Sequence, residues 1–300
     1  MMIDALTLDQ LRILVAVVDA GSFSAAARRL GRAQSAVSYA IANLEAALRI
    51  PLFDRGDWRP RLTEGGRALI ADARAILAKA DDLKARAKGL AEGLEAELSI
   101  VVDIMFPTRA LVELVAGFQA EFPGVALDLR VEALGSVPQM VLSGACRLGV
   151  QGSLPDIPPE LEHLPLPEEV AVEPVAAPAH PLAGARRPLP DAALREQVQV
   201  VLTDRSRRTE GRDFAVLSRR SIRTADLGAK HALLRAGLGW GFMPKELVQD
   251  DLDAGRLVVL RLGNRRPETR SMPLSLIFLR ADPPGPAGRW VTARLTGRGG

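Results

Sequence analysis

Apolar residues in the first part of the chain recur at the three- and four-residue spacing of amphipathic helices. A first helix is predicted to bury Leu8, Leu11, Leu14, Val15 and Val18. The inner face of a second helix would be Phe23, Ala26, Ala27 and Leu30, and that of a third Val37, Ile41, Leu44 and Leu48. Gly21 and Gly31 are predicted to end the first two helices, and Ser22 to cap the second. The pattern therefore predicts three short helices in one small domain.

The outward face of the third predicted helix carries small polar residues near its N-terminus. The outward residues are Ser35, Ser38, Tyr39, Ala42 and Arg49. A short helix, a glycine-containing turn and a second helix with such a face are typical of a helix-turn-helix, whose second helix enters the DNA major groove. We predict that Gln34, Ser35, Ser38 and Tyr39 contact base edges or the groove.

A basic segment after the third helix has the pattern of a tight hairpin. Gly56-Asp57 lies between apolar and basic residues, and Pro60 fits only an edge position. We interpret the segment as the wing of a winged helix, although an ordinary solvated loop has the same composition. Arginine suits bidentate contacts to phosphate. The arginines predicted to contact phosphates are Arg28, Arg32, Arg55, Arg59 and Arg61.

Thr63 is predicted to cap a long helix that runs to about Leu94. Apolar residues along it alternate at spacings of four and three, the repeat of helices that pack along a seam. These residues are Leu69, Ala73, Ile76, Ala80, Leu83, Ala87 and Leu90. The stripe could pack on another domain of the same chain, but a helix this long outruns a small domain. We therefore expect a homodimer, which would present two helix-turn-helix units to two DNA half-sites.

From Glu97 onward, short buried strands alternate with amphipathic helices. Thr108 begins one such helix, and the segment from Val125 to Val131 alternates as a strand. Repeated strand–helix units predict an α/β fold with a parallel or mixed sheet and helices on its faces. The proline-rich stretch from Leu154 to Pro167 is predicted to connect two lobes. Further strands are predicted at 170–177, 198–202, 257–260 and 274–279.

Small molecules bind between α/β lobes at the carboxyl ends of strands, where loops and helix N-termini converge. Four segments fit this position, and they contain Asp103, Met105, Phe106, Thr108, Ser136, Thr203, Asp204, Trp240 and Phe242. Ordinary capping or core packing explains each of these residues as well, Trp240 most readily. Free N–H groups at helix starts favour an anion, whereas Asp103 would repel one, so the charge of the ligand is left open.

Composition limits the class of protein. The chain has 300 residues and a formal net charge of +3, so overall charge is a weak argument for nucleic-acid binding. A single cysteine excludes an intrachain disulfide, and no apolar run is long enough for a membrane span. His163, His180 and His231 lack metal-spaced partners, and no nucleophile or dinucleotide motif occurs. We therefore expect a cytoplasmic protein without a metal, a cofactor or a catalytic site.

Several segments together resemble the LysR-type transcriptional regulators. In the N-terminal part they are Gly21-Ser22-Phe23, Ala26-Ala27, Gln34-Ser35-Ala36-Val37-Ser38, Leu52-Phe53-Asp54-Arg55 and Leu62-Thr63. The C-terminal part is more loosely similar, through Phe122-Pro123, His180-Pro181-Leu182-Ala183 and Ala236-Gly237-Leu238-Gly239. Three positions depart from the family pattern: Ala33 replaces a serine or threonine, Tyr39 an arginine, and Arg147 an aspartate.

The resemblance implies a winged helix-turn-helix domain at residues 1–62, a dimerisation helix at 63–95 and an effector-binding domain at 96–300. The last domain would consist of two Rossmann-like lobes similar to periplasmic binding proteins, the first at about 96–167 and 266–300 and the second at about 168–265. The implied partners are double-stranded DNA, a small-molecule effector and further copies of this chain, with RNA polymerase as another candidate. The alternatives are a small-molecule-binding protein or an enzyme that uses the interlobe cleft.

Overall fold

The computed structural model describes residues 6–54, 60–91, 93–152, 157–204, 206–209, 212, 214–263 and 271–297. Its contacts divide the chain into two units, residues 1–89 and residues 90–300. The first unit holds three short helices, a hairpin and most of a long helix, and the second is an α/β domain. Within the described ranges, no helix is both long enough and apolar enough to cross a membrane.

The three short helices are α1 (Leu8–Ala20), α2 (Phe23–Leu30) and α3 (Gln34–Leu48). Gly21 and Gly31 end the first two in left-handed conformations, with φ of +68° and +64°, which glycine adopts without a side-chain penalty. The Ser22 hydroxyl accepts a hydrogen bond from the N–H of Ala25 (3.1 Å). Ala33, by contrast, has no side-chain acceptor for the first turn of α3.

The core of the first unit is built from the inner faces of these helices. Val37, Ile41 and Leu44 of α3 are buried, as their spacing predicts. The buried face of α1 differs from the predicted one, because Leu8 is exposed and Ile13 is buried. Helix α1 packs on both α2 and α3, so its buried arc is wider than a single apolar stripe.

The predicted wing begins as an antiparallel pair of strands, β1 (Phe53–Asp54) and β2 (Arg61–Leu62). Residues 55–59 between them lie outside the described part of the chain. The carboxylate of Glu45 on α3 accepts hydrogen bonds from the N–H groups of Leu52 (2.7 Å) and Phe53 (3.1 Å). A side chain of α3 therefore fixes where the hairpin starts.

The long helix α4 spans Glu64–Ala91, so it ends before the predicted Leu94. Thr63 caps it as predicted, since its hydroxyl accepts a hydrogen bond from the N–H of Gly66 (2.9 Å). A Cβ atom at Gly66 would clash with the carbonyl group of Leu52. The absence of a side chain here lets the first turn of α4 lie against the start of the hairpin.

The apolar stripe of α4 is divided between two environments. Leu69 and Ala73 pack into the core of the first unit, whereas Ile76, Leu83 and Leu90 are exposed. Ala73 is thus buried within its own chain, whereas Leu69 is only partly buried and its role in dimerisation stays a prediction. The exposed residues are spaced seven apart and form a single row along the helix.

The second unit contains one mixed sheet. Its strands are β3 (Glu97–Asp103), β4 (Ala126–Glu132), β5 (Leu148–Gln151), β6 (Leu161–Ala176), β7 (Val198–Leu202), β8 (Arg220–Thr224), β9 (Trp240–Pro244), β10 (Val258–Val259) and β11 (Ser271–Leu279). Its helices are α5 (Thr108–Glu121), α6 (Ser136–Leu142), α7 (Asp191–Arg195), α8 (Leu227–Arg235), α9 (Lys245–Asp253) and α10 (Pro286–Leu295). The strand order is β4-β3-β5-β11-β6-β9-β7-β8, and β10 pairs with β6.

Two long antiparallel strands join the two lobes of this sheet. β11 pairs with β5 of the first lobe and along much of β6, and β6 continues to pair with β9 of the second lobe. The pairs β3–β4 and β3–β5 on one side, and β7–β8 and β7–β9 on the other, are parallel. The predicted connection is shorter than Leu154 to Pro167, because Leu161 already lies in β6.

Arg147 stands where the family pattern has an aspartate, and it has a structural partner. Its guanidinium pairs with the carboxylate of Asp282 and donates a hydrogen bond to the carbonyl oxygen of Pro283 (3.3 Å). These contacts tie the residue before β5 to the turn between β11 and α10. The substitution therefore serves packing within the first lobe.

The missing cap of α3 yields a stability prediction. We expect Ala33→Ser to stabilise the first unit by about 1 kcal/mol, because a hydroxyl at the N-cap accepts a hydrogen bond from the first turn of the helix. Ala33 already has the extended backbone of an N-cap residue, with φ of −69° and ψ of 143°. The measurement is amide hydrogen exchange of α3 in the full-length protein.

The matched control is Ser22→Ala, which removes the corresponding cap from α2. It should destabilise the first unit by about 1 kcal/mol. Unchanged or faster exchange of α3 in Ala33→Ser, together with the expected loss in Ser22→Ala, would contradict the assignment of Ala33 as an unfilled N-cap.

Candidate functional sites

The N-terminal half of α3 presents an exposed polar surface. Gln34, Ser35, Ser38 and Tyr39 all face solvent, and the Tyr39 side chain is 70% exposed. None of these four side chains forms a hydrogen bond with another residue in the described part of the chain. The opposite face of the helix is held in the core, so this surface is displayed on a rigid support.

The basic residues predicted to contact phosphates fall into three groups. Arg28 is exposed near the C-terminus of α2, and Arg61 is exposed on β2. Arg55 and Arg59 lie outside the described residues. Arg32 forms the third group, because its guanidinium pairs with a carboxylate of the same unit.

Arg32 donates two hydrogen bonds to the carboxylate of Asp9, at 2.6 and 2.9 Å. The guanidinium beside Asp9 lowers the pKa of that carboxyl, and the carboxylate raises the pKa of Arg32. The pair joins α1 to the turn before α3. Arg32 thus takes part in a structural ion pair, and its contact to a phosphate stays a prediction.

The second unit contains a cavity of about 470 Å³ where strand ends and connecting strands meet. Its wall is mostly apolar and draws on both lobes. The lining residues are Met105, Leu134, Val172, Asp191, Leu194, Gln199, Val200, Val201, Leu202, Phe214, Ala215, Leu217, Lys230, Phe242, Leu262, Ser271 and Met272. Met105 and Phe242 are the two members of the predicted effector set that line it.

Three predicted effector residues lie elsewhere. Trp240 is 0% exposed, packs edge-to-face on Phe242 and donates its indole N–H to the hydroxyl of Ser218 (3.1 Å). Phe106 is buried in the core of the first lobe. Thr108 is exposed and is preceded by Pro107, which occupies the cap position of α5 without a side-chain hydrogen bond. The structure thus places Trp240 and Phe106 in the core and not on the wall of this cavity, whereas the predicted role of the exposed Thr108 stays a prediction.

Asp103 is a buried carboxyl at the end of β3. It accepts hydrogen bonds from the backbone N–H groups of Met105 (2.9 Å), Gly152 and Leu134. Burial outweighs these donors and raises the pKa of Asp103 to about 6. Its acceptor sites are occupied by the backbone, so Asp103 organises the end of the strand and does not line the cavity.

The remaining predicted residues form a contact between the lobes. Asp204 accepts hydrogen bonds from the hydroxyl groups of Ser206 (2.6 Å) and Thr209. A Cβ atom at Gly135 would lie 2.5 Å from the Ser206 hydroxyl, so this loop rests directly on the start of α6. Ser136 is buried at that start. Thr203 donates only a long hydrogen bond, of 3.5 Å, to the carbonyl oxygen of Asp204.

Lys230 is the site residue that sequence reasoning missed. It lines the cavity, is 5% exposed, and its ammonium forms no hydrogen bond or ion pair with any described residue. Burial lowers its pKa to about 8. Leu227 and Leu234 of the same helix are buried three residues before it and four after it. A lysine on the apolar face of a predicted helix is the signal that could have found it.

One described histidine pairs with an acidic side chain. Within the described ranges, no cluster of three or more His, Cys, Asp or Glu residues could hold a metal ion. His231 lies 2.5 Å from the carboxylate of Asp251, which also pairs with Arg256 and lies 3.5 Å from Arg235. This network ties α8 to α9 behind Lys230.

A winged helix-turn-helix unit followed by a two-lobed α/β domain with a cavity defines a ligand-responsive DNA-binding regulator. Family models agree with this class. The model "Bacterial regulatory helix-turn-helix protein, lysR family" matches residues 8–67, and "LysR substrate binding domain" matches residues 91–299. The chain belongs to the LysR family and is a LysR-type transcriptional regulator, with a helix-turn-helix DNA-binding domain and an effector-binding domain.

Individual relatives agree with this membership. The chain is 32% identical to "Probable HTH-type transcriptional regulator YhaJ" of Escherichia coli K12, over 97% of this chain and 96% of the relative. It is 30% identical to "HTH-type transcriptional regulator AceR" of Acinetobacter baumannii, over 81% of this chain and 80% of the relative. Relatives of this kind are transcriptional regulators.

Solved structures share the fold. A Corynebacterium glutamicum OxyR C206 mutant matches with a TM-score of 0.52 and 22% identity, over 97% of this chain and 92% of the other. HinK, a LysR family transcriptional regulator from Pseudomonas aeruginosa, matches with a TM-score of 0.51 and 20% identity, over 98% of each chain. These likenesses support the fold of the chain, a helix-turn-helix unit followed by an α/β unit.

The buried carboxyl of Asp103 predicts an unusual pH dependence. The pKa of Asp103 is raised to about 6 in the folded protein, so the folded state favours the neutral carboxyl. The stability that the neutral carboxyl contributes is complete below the pKa of an unfolded aspartate. That contribution is lost as the pH rises from about 4 to about 6, by a free energy on the order of 2–3 kcal/mol. Asp103→Asn cannot ionise, so its stability relative to the wild type should increase over this window. Urea unfolding with pulsed hydrogen exchange in β3 measures the difference.

Asp251→Asn is the control with the opposite sign. The guanidinium of Arg256, followed by His231 and Arg235, holds the pKa of Asp251 below its usual value. The stability from Asp251 is therefore present above the unfolded pKa and is lost as the pH falls below about 4. Relative to the wild type, Asp251→Asn should lose stability with rising pH. Slopes of the same sign in the two variants would refute this account of Asp103.

Proposed function

We propose that this regulator recognises its operator through the N-terminal half of α3 placed in the major groove. The observation that carries the proposal is that Ser35, Ser38 and Tyr39 are exposed on a helix whose other face is buried, and that their side chains form no hydrogen bond with any described residue. Hydroxyl groups on one helix face can donate to and accept from base edges, which differ in the major groove. Arg28 and Arg61 flank this surface in sequence and suit contacts to phosphates.

The proposed recognition surface includes Tyr39 at a position where the family pattern has an arginine. The phenol of Tyr39 can stack or form a hydrogen bond, but it brings no charge to the phosphates. Its affinity contribution should therefore depend less on salt than that of an arginine would. Base choice at this position is expected to rest on shape and hydrogen bonding.

Dimerisation is proposed to use the exposed row of α4. Ile76, Leu83 and Leu90 repeat every seven residues and stay exposed in the single chain, with Leu83 at 68%. A row of this spacing matches the seam of paired helices. A dimer would relate two copies of α3 by a two-fold axis, which suits an operator with two half-sites.

The effector is proposed to bind in the cavity of the second unit. Lining residues come from the first lobe, the second lobe and the connecting strands β6 and β11. A ligand held there contacts both sides of the joint between the lobes. It can change DNA binding only if its affinity differs between two arrangements of the dimer.

Acidic substitution of α3 tests the recognition surface. In Ser35→Glu/Ser38→Glu, two carboxylates would face a groove lined by phosphates and base acceptors. Affinity for the DNA that flanks the gene of this protein should fall about 100-fold or more. An electrophoretic mobility shift, with light scattering to check the oligomeric state, measures the loss.

The control is Ala116→Glu/Gln119→Glu on α5, which adds the same charge at the same spacing on exposed positions of the second unit. It should bind the same DNA with near wild-type affinity. A footprint of the α3 variant over the wild-type bases would overturn the assignment of α3 as the recognition helix.

A charge in the exposed row of α4 tests the dimer. Leu83→Asp should halve the mass measured by light scattering, because a carboxylate in an apolar helix seam is buried without a partner. Ala78→Asp is the control, since Ala78 is exposed and lies on the far side of the helix at 100° per residue. Retention of the wild-type mass in Leu83→Asp would exclude this row as the dimer seam.

A further inference from the structure

Lys230 is a charged group in an apolar setting. Its side chain is 5% exposed and lies in the wall of the 470 Å³ cavity. Neighbouring lining residues include Leu194, Val200 and Phe242. An ammonium without a partner is costly in such surroundings. Proteins keep such a group where a ligand completes its interactions.

The backbone around Lys230 makes room for its side chain. A Cβ atom at Gly241 would lie 3.3 Å from Cε of Lys230 and 2.6 Å from the carbonyl oxygen of Val200. Strands β7 and β9 are paired at one position only, Gln199 opposite Trp240. The glycine-rich segment before and within β9 therefore leaves space for the lysine stem between a helix and the strand ends.

Two other polar residues of the cavity wall, Gln199 and Asp191, differ from Lys230 in their surroundings. The Gln199 amide donates to the carbonyl oxygen of Ala215 (2.7 Å) and accepts from the N–H groups of Leu217 and Ser218. Its polar atoms thus hold the loop that forms one side of the cavity. Asp191 is exposed to solvent and forms no ion pair with Lys230.

We propose that the cavity binds an organic monoanion with an apolar body, and that the acid group of this ligand pairs with the ammonium of Lys230. The proposal rests on the proposed function, because it names the class of effector for the same cavity. A carboxylate would give Lys230 a charged partner, which no described residue supplies. The apolar wall would bury the rest of the molecule.

The buried ammonium of Lys230 favours one negative charge on the ligand, because Asp191, the acidic residue among the described lining residues, is exposed to solvent. Lys230 is the single cation among the described lining residues. A phosphate monoester carries nearly two charges at neutral pH and would leave one without a partner. An amine would place a second cation beside Lys230. A neutral amide could fill the volume but would leave the ammonium without a counter-charge.

Matched acids and amides test this proposal on the full-length protein. The probes are octanoate, 3-phenylpropionate and 2-naphthoate, each with its primary amide, and octylamine as the cationic analogue. Thermal shift at pH 7 gives the affinity of each probe for the wild type, Lys230→Met and the control Lys245→Met, an exposed lysine at the start of α9. At least one acid should bind the wild type and Lys245→Met more tightly than its amide does, and octylamine should not bind.

Lys230→Met should weaken binding of that acid about tenfold or more, and change that of its amide by less than about twofold. Without ligand, the same variant should melt at a higher temperature than the wild type, because it removes a buried charge that has no partner among the described residues. An acid that binds Lys230→Met as tightly as the wild type overturns the proposal. So does a panel in which no acid binds the wild type, or a ligand-free Lys230→Met that melts lower.

A footprint of the wild type with and without each bound probe separates this proposal from the proposed function. An acid that depends on Lys230 but leaves the footprint unchanged supports the anion site and counts against its role as the effector site. An amide that binds Lys230→Met and changes the footprint supports the cavity as the effector site. The same outcome overturns the proposal that the cavity selects anions.

Discussion

The burial of one face of α3 is the constraint on which DNA recognition depends. Val37, Ile41 and Leu44 are at most 3% exposed, and each contributes roughly 1.5–3 kcal/mol by leaving water. Their positions on the helix fix the rotation of α3 about its axis, so Ser35 and Tyr39 point outward. The carboxylate of Glu45 then fixes the hairpin to the same helix through two backbone N–H groups. Recognition helix and wing are thus positioned by one buried face and one side chain.

A comparable constraint acts in the second unit, where two strands are shared by both lobes. β6 has 16 residues and pairs with β11 and then with β9, so the lobes are parts of one sheet. A ligand bound in the proposed site would touch this shared pair through Val172 and Met272, which line the cavity. Movement of one lobe relative to the other must bend or twist these strands, so their pairing limits the arrangements between which an effector can select.

Local signals in the sequence predicted the first unit well. The helix of Gln34–Leu48, the caps at Ser22 and Thr63 and the glycines that end α1 and α2 depend on residues close together in the chain. The sequence left alternatives open where distant contacts decide. Ala73 has the spacing of a dimer seam but is buried in the core of its own unit, and Trp240, for which both core and cavity were open, is fully buried. Spacing shows which residues share a face, but not what that face meets.

Asp103 and Lys230 show why burial of a charge does not by itself mark a binding site. Both are buried. Burial raises the pKa of Asp103 and lowers the pKa of Lys230, so it favours the neutral form of each side chain. Asp103 receives hydrogen bonds from three backbone N–H groups, so the fold itself satisfies its oxygens. Lys230 has no such partner in the described structure, although it faces a cavity large enough for a small molecule. The two residues thus differ in whether the fold supplies the missing interaction. Stability alone would favour an apolar side chain at position 230, and this cost is the strongest physical reason to assign the lysine to a ligand.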